Sequence, residues 1–450
     1  MSSCRLGREG ISRLLRKARP SDCASPRAKT PCHAGPSFSD DQSPSQRGAS
    51  LHAEVGCEEA DVNVSLPKVT IYGTGGTIAG AAKTASMTSQ YDPGVLPVST
   101  LVDDLPELLD AVQPRAEEVV NVGSPDVGPR DLILLSQNIQ RELDGDTQGV
   151  VITHGTDTIE ETAYFLELTV KSDKPVVLVG SMRPPTARGA DGPMNLLCAV
   201  NLAVSQGARS RGVMIVLNDR ICPSRFTTKS HANMLDSFKA AEEGYLGIFV
   251  DSQPLFFYPP CRPLARQYFD ISARKPEDGL PIVDILFGHS DVRPELFEAA
   301  VRLGAKGIVL AGMGSGCWSK KAGTTIQCVA GDKGERFPIV TSRRTPSGFV
   351  GGEGVYGLED SCIGGGFLDP QKCRIQLQLA LAAGLDTMEI RGTFEGNKPG
   401  AETKPLLHVA EWQVKKGDGK RMNHLPSSGR RTRTLGRYCS QADTAARQIL

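Results

Sequence analysis

The chain has 450 residues, enough for two or three domains, and 39% of them are hydrophobic, enough to build sizeable cores. Formal net charge is zero, but residues 67–396 hold 31 basic and 39 acidic side chains while 397–450 hold 11 and 4. An acidic middle argues against a nucleic-acid surface there, and the lack of a long apolar run argues against a membrane span.

The first 36 residues carry 8 basic and 2 acidic side chains among many Ser and Pro. Three readings stay open: an organelle transit peptide, a disordered leader, or an unreliable start. "GISRLLRK" is no apolar core for a secretory signal. Residues 1–66 as a whole read as leader. The 12 cysteines are scattered without a C-x-x-C pair, which favours reduced thiols. No H-E-x-x-H motif suggests zinc.

From Lys68 short apolar runs alternate with helical patterns. "KVTIY" (68–72), "GVVIT" (149–153), "PVVLVGSM" (175–182) and "RGVMIVLND" (211–219) suit parallel strands covered on both faces. Helices are predicted over 99–112, capped by Ser99 or Thr100, and over 131–143, 158–170 and 193–207. This alternation predicts a doubly wound α/β domain over 67–252. The Pro-, Arg- and aromatic-rich stretch 253–281 reads as a linker. A smaller α/β domain follows over 282–396, with strands at 282–288, 307–314 and 337–344 and helices at 293–304 and 370–384. The basic, Gly- and Ser-rich tail 397–450 reads as disordered.

The loop "YGTGGTIAG" follows the first strand. It fails the dinucleotide fingerprint, because Ile78 takes the place of the third glycine, and it lacks the Gly-Lys-Ser/Thr of a phosphate loop. Its glycines either make a tight turn or let the backbone approach a small ligand. In "VVITHGTDTIEETAYF" a strand ends on His154-Gly155-Thr156-Asp157-Thr158, where α/β sheets bind ligands. Capping boxes from Asp157 with Glu160, or Thr158 with Glu161, would explain one of these polar residues but not the run. His154 reads as structural.

Together these two motifs resemble the bacterial-type L-asparaginase (asparaginase/glutaminase) family. The resemblance continues through "KPVVLVGSMRP" (174–184), "ADGPMNLLCAV" (190–200), "RFTTKSH" (225–231), "GIVLAGMGSG" (307–316) and "DPQKCRIQLQLAL" (369–381). It implies a two-domain α/β fold, a larger N-terminal doubly wound domain and a smaller C-terminal α/β domain. It also implies a homotetramer, no cofactor, no metal, and hydrolysis of L-asparagine to L-aspartate and ammonia. The expected compartment is the cytoplasm, unless the basic leader directs the chain to an organelle.

By position, the resemblance makes Thr77 the nucleophile and Tyr91 the hydroxyl that assists it from a flap. Thr156, Asp157 and Lys229 match a second triad, in which the lysine could relay a proton. Ser124, with N–H groups near Gly155 and Asp157, matches the clamp on the substrate α-carboxylate. The Asp157 carboxylate suits the α-ammonium, and the Ser181 backbone meets the substrate amide. Pro125 stands where the family has Gln or Glu, so one ammonium contact is missing. Across the subunit boundary Cys317 replaces a polar residue, and Glu353 matches an acid. Ser172 stands where some secreted members have a disulfide cysteine. Other readings are an amidotransferase subunit of the same family and an inactive amino-acid-binding protein.

Overall fold

The computed structural model describes residues 65–262, 266–332, 337–355, 357–358 and 362–395. The leader up to residue 64 and the tail from 396 lie outside the described residues.

Strand β1 (Lys68–Gly75) is buried along its whole length after Lys68, as its apolar run demands. The helix predicted over 99–112 is two short pieces, α1 (Val98–Asp103) and α2 (Glu107–Ala111). Pro106 interrupts it, since proline lacks the N–H and bars the preceding residue from helical geometry. Neither Ser99 nor Thr100 caps it; Pro97 holds the N-cap position. Strand β2 (Gln113–Val122) escaped the sequence pattern because it is an edge strand with mixed burial and no clean alternation. The chain then runs through α3 (Pro129–Asp144), β3 (Gly149–Thr153), α4 (Ile159–Thr169), β4 (Val176–Val179), α5 (Gly192–Val204) and β5 (Val213–Leu217).

The run "RGVMIVLND" is half of a hairpin. Asn218 and Asp219 adopt φ of 51° and 58°, the left-handed pair of a tight two-residue turn, and the chain returns as β6 (Arg220–Pro223). A small ribbon, β7 (Thr228–Lys229) with β8 (Phe238–Lys239), precedes β9 (Gly247–Val250) and β10 (Gln253–Phe256). The eight-stranded sheet runs β10-β9-β6-β5-β4-β3-β1-β2, parallel from β5 to β2 and antiparallel beyond β5.

The stretch read as a linker begins inside β10 and continues docked on the body. Phe269 and Ile271 are buried, Arg262 donates to Ser172 O (2.8 Å) and Arg266 to Val170 O (3.0 Å). Arg262, Arg266 and Phe269 serve that docking.

The second sheet is parallel, in the order β11 (Val283–Phe287), β12 (Gly307–Gly312), β13 (Ile339–Arg343), β14 (Ile363–Gly364). Helices α6 (Glu295–Arg302), α7 (Lys320–Asp332), α8 (Pro370–Ala382) and α9 (Thr387–Glu395) accompany it. One core runs through both sheets' helices: Tyr164, Phe165 and Leu168 of α4 share it with Ile375, Leu377 and Leu379 of α8. At its centre Tyr164 donates to Gln376 Oε1 (2.6 Å) and receives a bond from Arg225 (3.1 Å). Among the described residues no helix is long and apolar enough to cross a membrane.

Candidate active site

In the large sheet β1 lies between β3 and β2, so the chain leaves β1 to one side and later returns on the other. Connections diverge at that point and leave a crevice outside the carboxyl ends of the strands. Thr77 follows β1 and Thr156 follows β3, which puts both motifs at the crevice.

The two loops meet backbone to backbone. Gly76 adopts φ 83° and ψ −164°, a region open essentially to glycine, and a Cβ there would stand 2.2 Å from Gly155 Cα. Gly155 in turn lies against the serine after β2, since a Cβ on it would sit 2.8 Å from Ser124 Oγ. Larger side chains at either glycine would hold the loops apart.

Thr77 opens a single 3-10 turn and is 5% exposed. Its Oγ1 lies 2.6 Å from the Tyr91 hydroxyl. Tyr91 belongs to a loop whose base is pinned to the turn: Ala81 and Asp92 exchange backbone bonds (2.9 and 3.0 Å), and Val95 and Leu96 donate to Ala79 O (2.7 and 2.8 Å). The second group assembles around Lys229, whose Nζ donates to Thr156 Oγ1 (2.9 Å) and Asp157 Oδ1 (2.6 Å). The lysine side chain is 16% exposed and that of Asp157 65%, so the carboxylate keeps a face open to an incoming cation. Ser181, after β4, is fully buried and donates to Arg183 O (2.8 Å). The neighbouring Gly180 abuts Thr156, whose Cγ2 would lie 3.0 Å from a Cβ there. Pro125 is exposed in the turn that holds Ser124.

Neither capping box forms. Thr158 is the N-cap of α4 without a side-chain cap bond; its hydroxyl donates to Ser124 O (2.8 Å). The Glu160 carboxylate accepts the backbone N–H of Lys229. Tertiary partners took both side chains from the local cap. His154 is fully buried, one ring nitrogen against Gly155 O and the other against Thr162 Oγ1, each at 2.8 Å. Burial pushes its pKa down to about 4, so the imidazole is neutral.

Glu353 and Cys317 stand apart from this group, on adjoining loops of the smaller sheet, where Trp318 donates to Gly354 O (3.1 Å). Among the described residues no hydrogen bond within the chain joins Glu353 to the Thr77 or Lys229 group.

The sequence reading missed two charged residues beside the site. Glu160 was weighed only as a cap. Lys372, on α8, is completely buried; its Nζ donates to Thr227 O (2.7 Å) and Asp369 Oδ2 (2.6 Å). The signal available was its place: a lysine that opens the largely apolar stretch "KCRIQLQLAL" (372–381) has no reason to be buried unless paired.

Comparison with known proteins identifies the family. Residues 68–262 match the family model for the asparaginase N-terminal domain and 282–394 that for the glutaminase/asparaginase C-terminal domain. The chain is 46% identical over 336 residues to L-asparaginase 2-3 of Saccharomyces cerevisiae, covering 74% of this chain and 91% of the relative. It is 39% identical over 333 residues to L-asparaginase 2 of Escherichia coli, covering 74% and 93%. The crystal structure of the probable cytoplasmic L-asparaginase from Campylobacter jejuni superposes with a TM-score of 0.69 at 37% identity, over 73% of this chain and 99% of that one. Two family domains in order, and relatives matched over nine-tenths of their length, place this chain in the asparaginase family.

Proposed function

We infer that this protein hydrolyses L-asparagine to L-aspartate and ammonia. The observation that carries the reading is the pairing of two hydroxyl-centred groups across one backbone contact: Thr77 with Tyr91 on one side of Gly76 and Gly155, Thr156 with Lys229 and Asp157 on the other.

In this reading the Thr77 hydroxyl attacks the side-chain amide carbon. A relay carries its proton to the departing nitrogen: the Tyr91 hydroxyl, or the Thr156 hydroxyl with Lys229, takes the proton up as it gives one of its own onward, so neither keeps a net proton. The carbon–nitrogen bond breaks, ammonia leaves, and an ester to Thr77 remains. Water then attacks the ester, releases aspartate and restores the threonine. N–H groups around Thr77 and Thr156 stabilise the oxyanion. Ser124 and the N–H groups of Gly155 and Asp157 hold the α-carboxylate, the Asp157 carboxylate meets the α-ammonium, and the Ser181 backbone meets the amide. Glu353 adds an acid to the ammonium site of a neighbouring subunit in a homotetramer. In this reading the compartment is the cytoplasm, unless the basic leader directs the chain to an organelle.

Ammonia release from asparagine and glutamine, measured side by side, tests the activity, and Thr77→Ala tests the nucleophile. The expected result is asparagine turnover that falls by several orders of magnitude in a variant with an unchanged melting curve. Near-normal turnover in that variant removes Thr77 from the chemistry.

A further inference from the structure

Three consecutive residues leading to Lys229 are each held by a buried charged side chain. Lys372 of α8 donates to the carbonyl of Thr227 (2.7 Å). Glu160 of α4 hydrogen-bonds the Thr228 side chain and accepts the N–H of Lys229. Both charges are out of water, Glu160 at 4% exposure and Lys372 at 0%. Burial pushes the Glu160 carboxyl up, Lys372 nearby pulls it back, and Asp369 opposes Lys372. Burying these groups is costly, and a hydrophobic cluster would serve packing as well.

We propose that Glu160 is a positioning residue for Lys229, fixing the lysine backbone relative to Thr156 and Asp157, with Lys372 of α8 bracing the same segment from the C-terminal domain. The inference rests on the site proposed above. Its physical basis is the lysine stem. Four flexible methylenes let the ammonium wander unless the backbone is fixed. Glu160 lies in the first turn of α4, three residues beyond Asp157, so one helix entry carries both the targets of the ammonium and the anchor of its backbone. A displaced segment would leave Lys229 able to reach Asp157 or Thr156 but not both. Lys372 extends the arrangement: α8 holds the Lys229 strand of its own chain, which couples packing of the smaller domain to the chemistry.

The test is steady-state ammonia release by the full chain carrying Glu160→Ala, Glu160→Gln or Lys229→Ala, with a thermal melt of each. Positioning predicts that Glu160→Ala lowers kcat about ten- to a hundredfold. The KM for asparagine should stay within about twofold, because the groups that hold the substrate are untouched. Glu160→Gln keeps an acceptor for the Lys229 N–H and should recover most of kcat. A role in stability alone would lower the melting temperature and leave kcat as it was. Wild-type kcat in folded Glu160→Ala, equal losses in the Ala and Gln variants, or a rise in KM alone would each overturn the proposal. Should Glu160→Ala not fold, Glu160→Asp keeps the charge beside Lys372 and withdraws the acceptor by one methylene; unchanged kcat there overturns it equally. Full activity in Lys229→Ala sinks the proposed site itself. Loss in Lys229→Ala with active Glu160 variants sinks only this inference.

Discussion

Replacing Gly76 with alanine probes the contact on which the site is built. The backbone there, at φ 83° and ψ −164°, costs a non-glycine residue about 1–3 kcal/mol. The new Cβ would also stand 2.2 Å from Gly155 Cα, whereas carbon atoms rest at about 3.5–4.0 Å. The two loops must therefore part by more than about 1 Å, and overpacking of this kind costs a further ~1–3 kcal/mol. The sum, about 2–6 kcal/mol, corresponds to a melting temperature lower by roughly 5–15 °C. Because Thr77 is the next residue, the same separation carries the proposed nucleophile away from the Thr156 loop, and a shift of about 1 Å costs about a hundredfold in rate. Gly244 is the control: it has φ 81° with nothing within 4 Å of a Cβ. Gly244→Ala should lose only the backbone part, about 1–3 kcal/mol, with kcat intact. Thermal melts and ammonia release on the two variants decide the matter. If Gly76→Ala melts no lower than Gly244→Ala and turns over at the wild-type rate, close approach of the loops is not what builds the site.

Pro125→Gln restores a side chain able to contact the substrate ammonium; a charge-assisted hydrogen bond of about 1.5–3 kcal/mol should lower KM for asparagine about ten- to a hundredfold, and an unchanged KM would show that Pro125 is irrelevant to binding. The wild-type enzyme should favour asparagine over glutamine in kcat/KM, since a substrate one methylene longer is harder to align with one anchor missing; equal values for the two amides refute this. His154 links stability to pH. Its folded pKa of about 4 lies below the unfolded value near 6.5, so the unfolded chain takes the proton first. Stability is complete above 6.5 and falls towards pH 4, by about 3 kcal/mol for a fully buried ring. Urea midpoints at neutral and acid pH should show that loss in the wild type and a smaller one in His154→Gln, and identical pH dependence in both assigns the effect elsewhere. A chain trimmed to residues 67–396 should keep most of the activity and assemble as a tetramer; a folded but monomeric and inactive product would give one of the arms a role in assembly.

The strands that were legible in the sequence are the ones covered on both faces. "KVTIY", "GVVIT" and "PVVLVGSM" are continuous apolar runs because β1, β3 and β4 are central and parallel, and burial on two sides leaves no polar alternation. Motif residues that follow those strands were legible too, since the carboxyl end of a central strand fixes where they emerge. Composition could not show β2, whose single neighbour and half-exposed faces erase its periodicity. Nor could it show that "LND" turns the chain back on itself, because that depends on two residues entering left-handed geometry. Nor could it show what the 253–281 stretch docks against, because aromatic and arginine side chains carry no record of their partners. Thr158 and Glu160 show the limit most clearly. Local physics offered both to the helix cap, and the fold gave one to Ser124 and the other to Lys229, partners 34 and 69 residues away. The residue types of the site follow from the sequence; which of them face one another was decided by the packing of α4 between the large sheet and α8, where burial makes an unpaired polar group costly and so favours partners near in the chain or far.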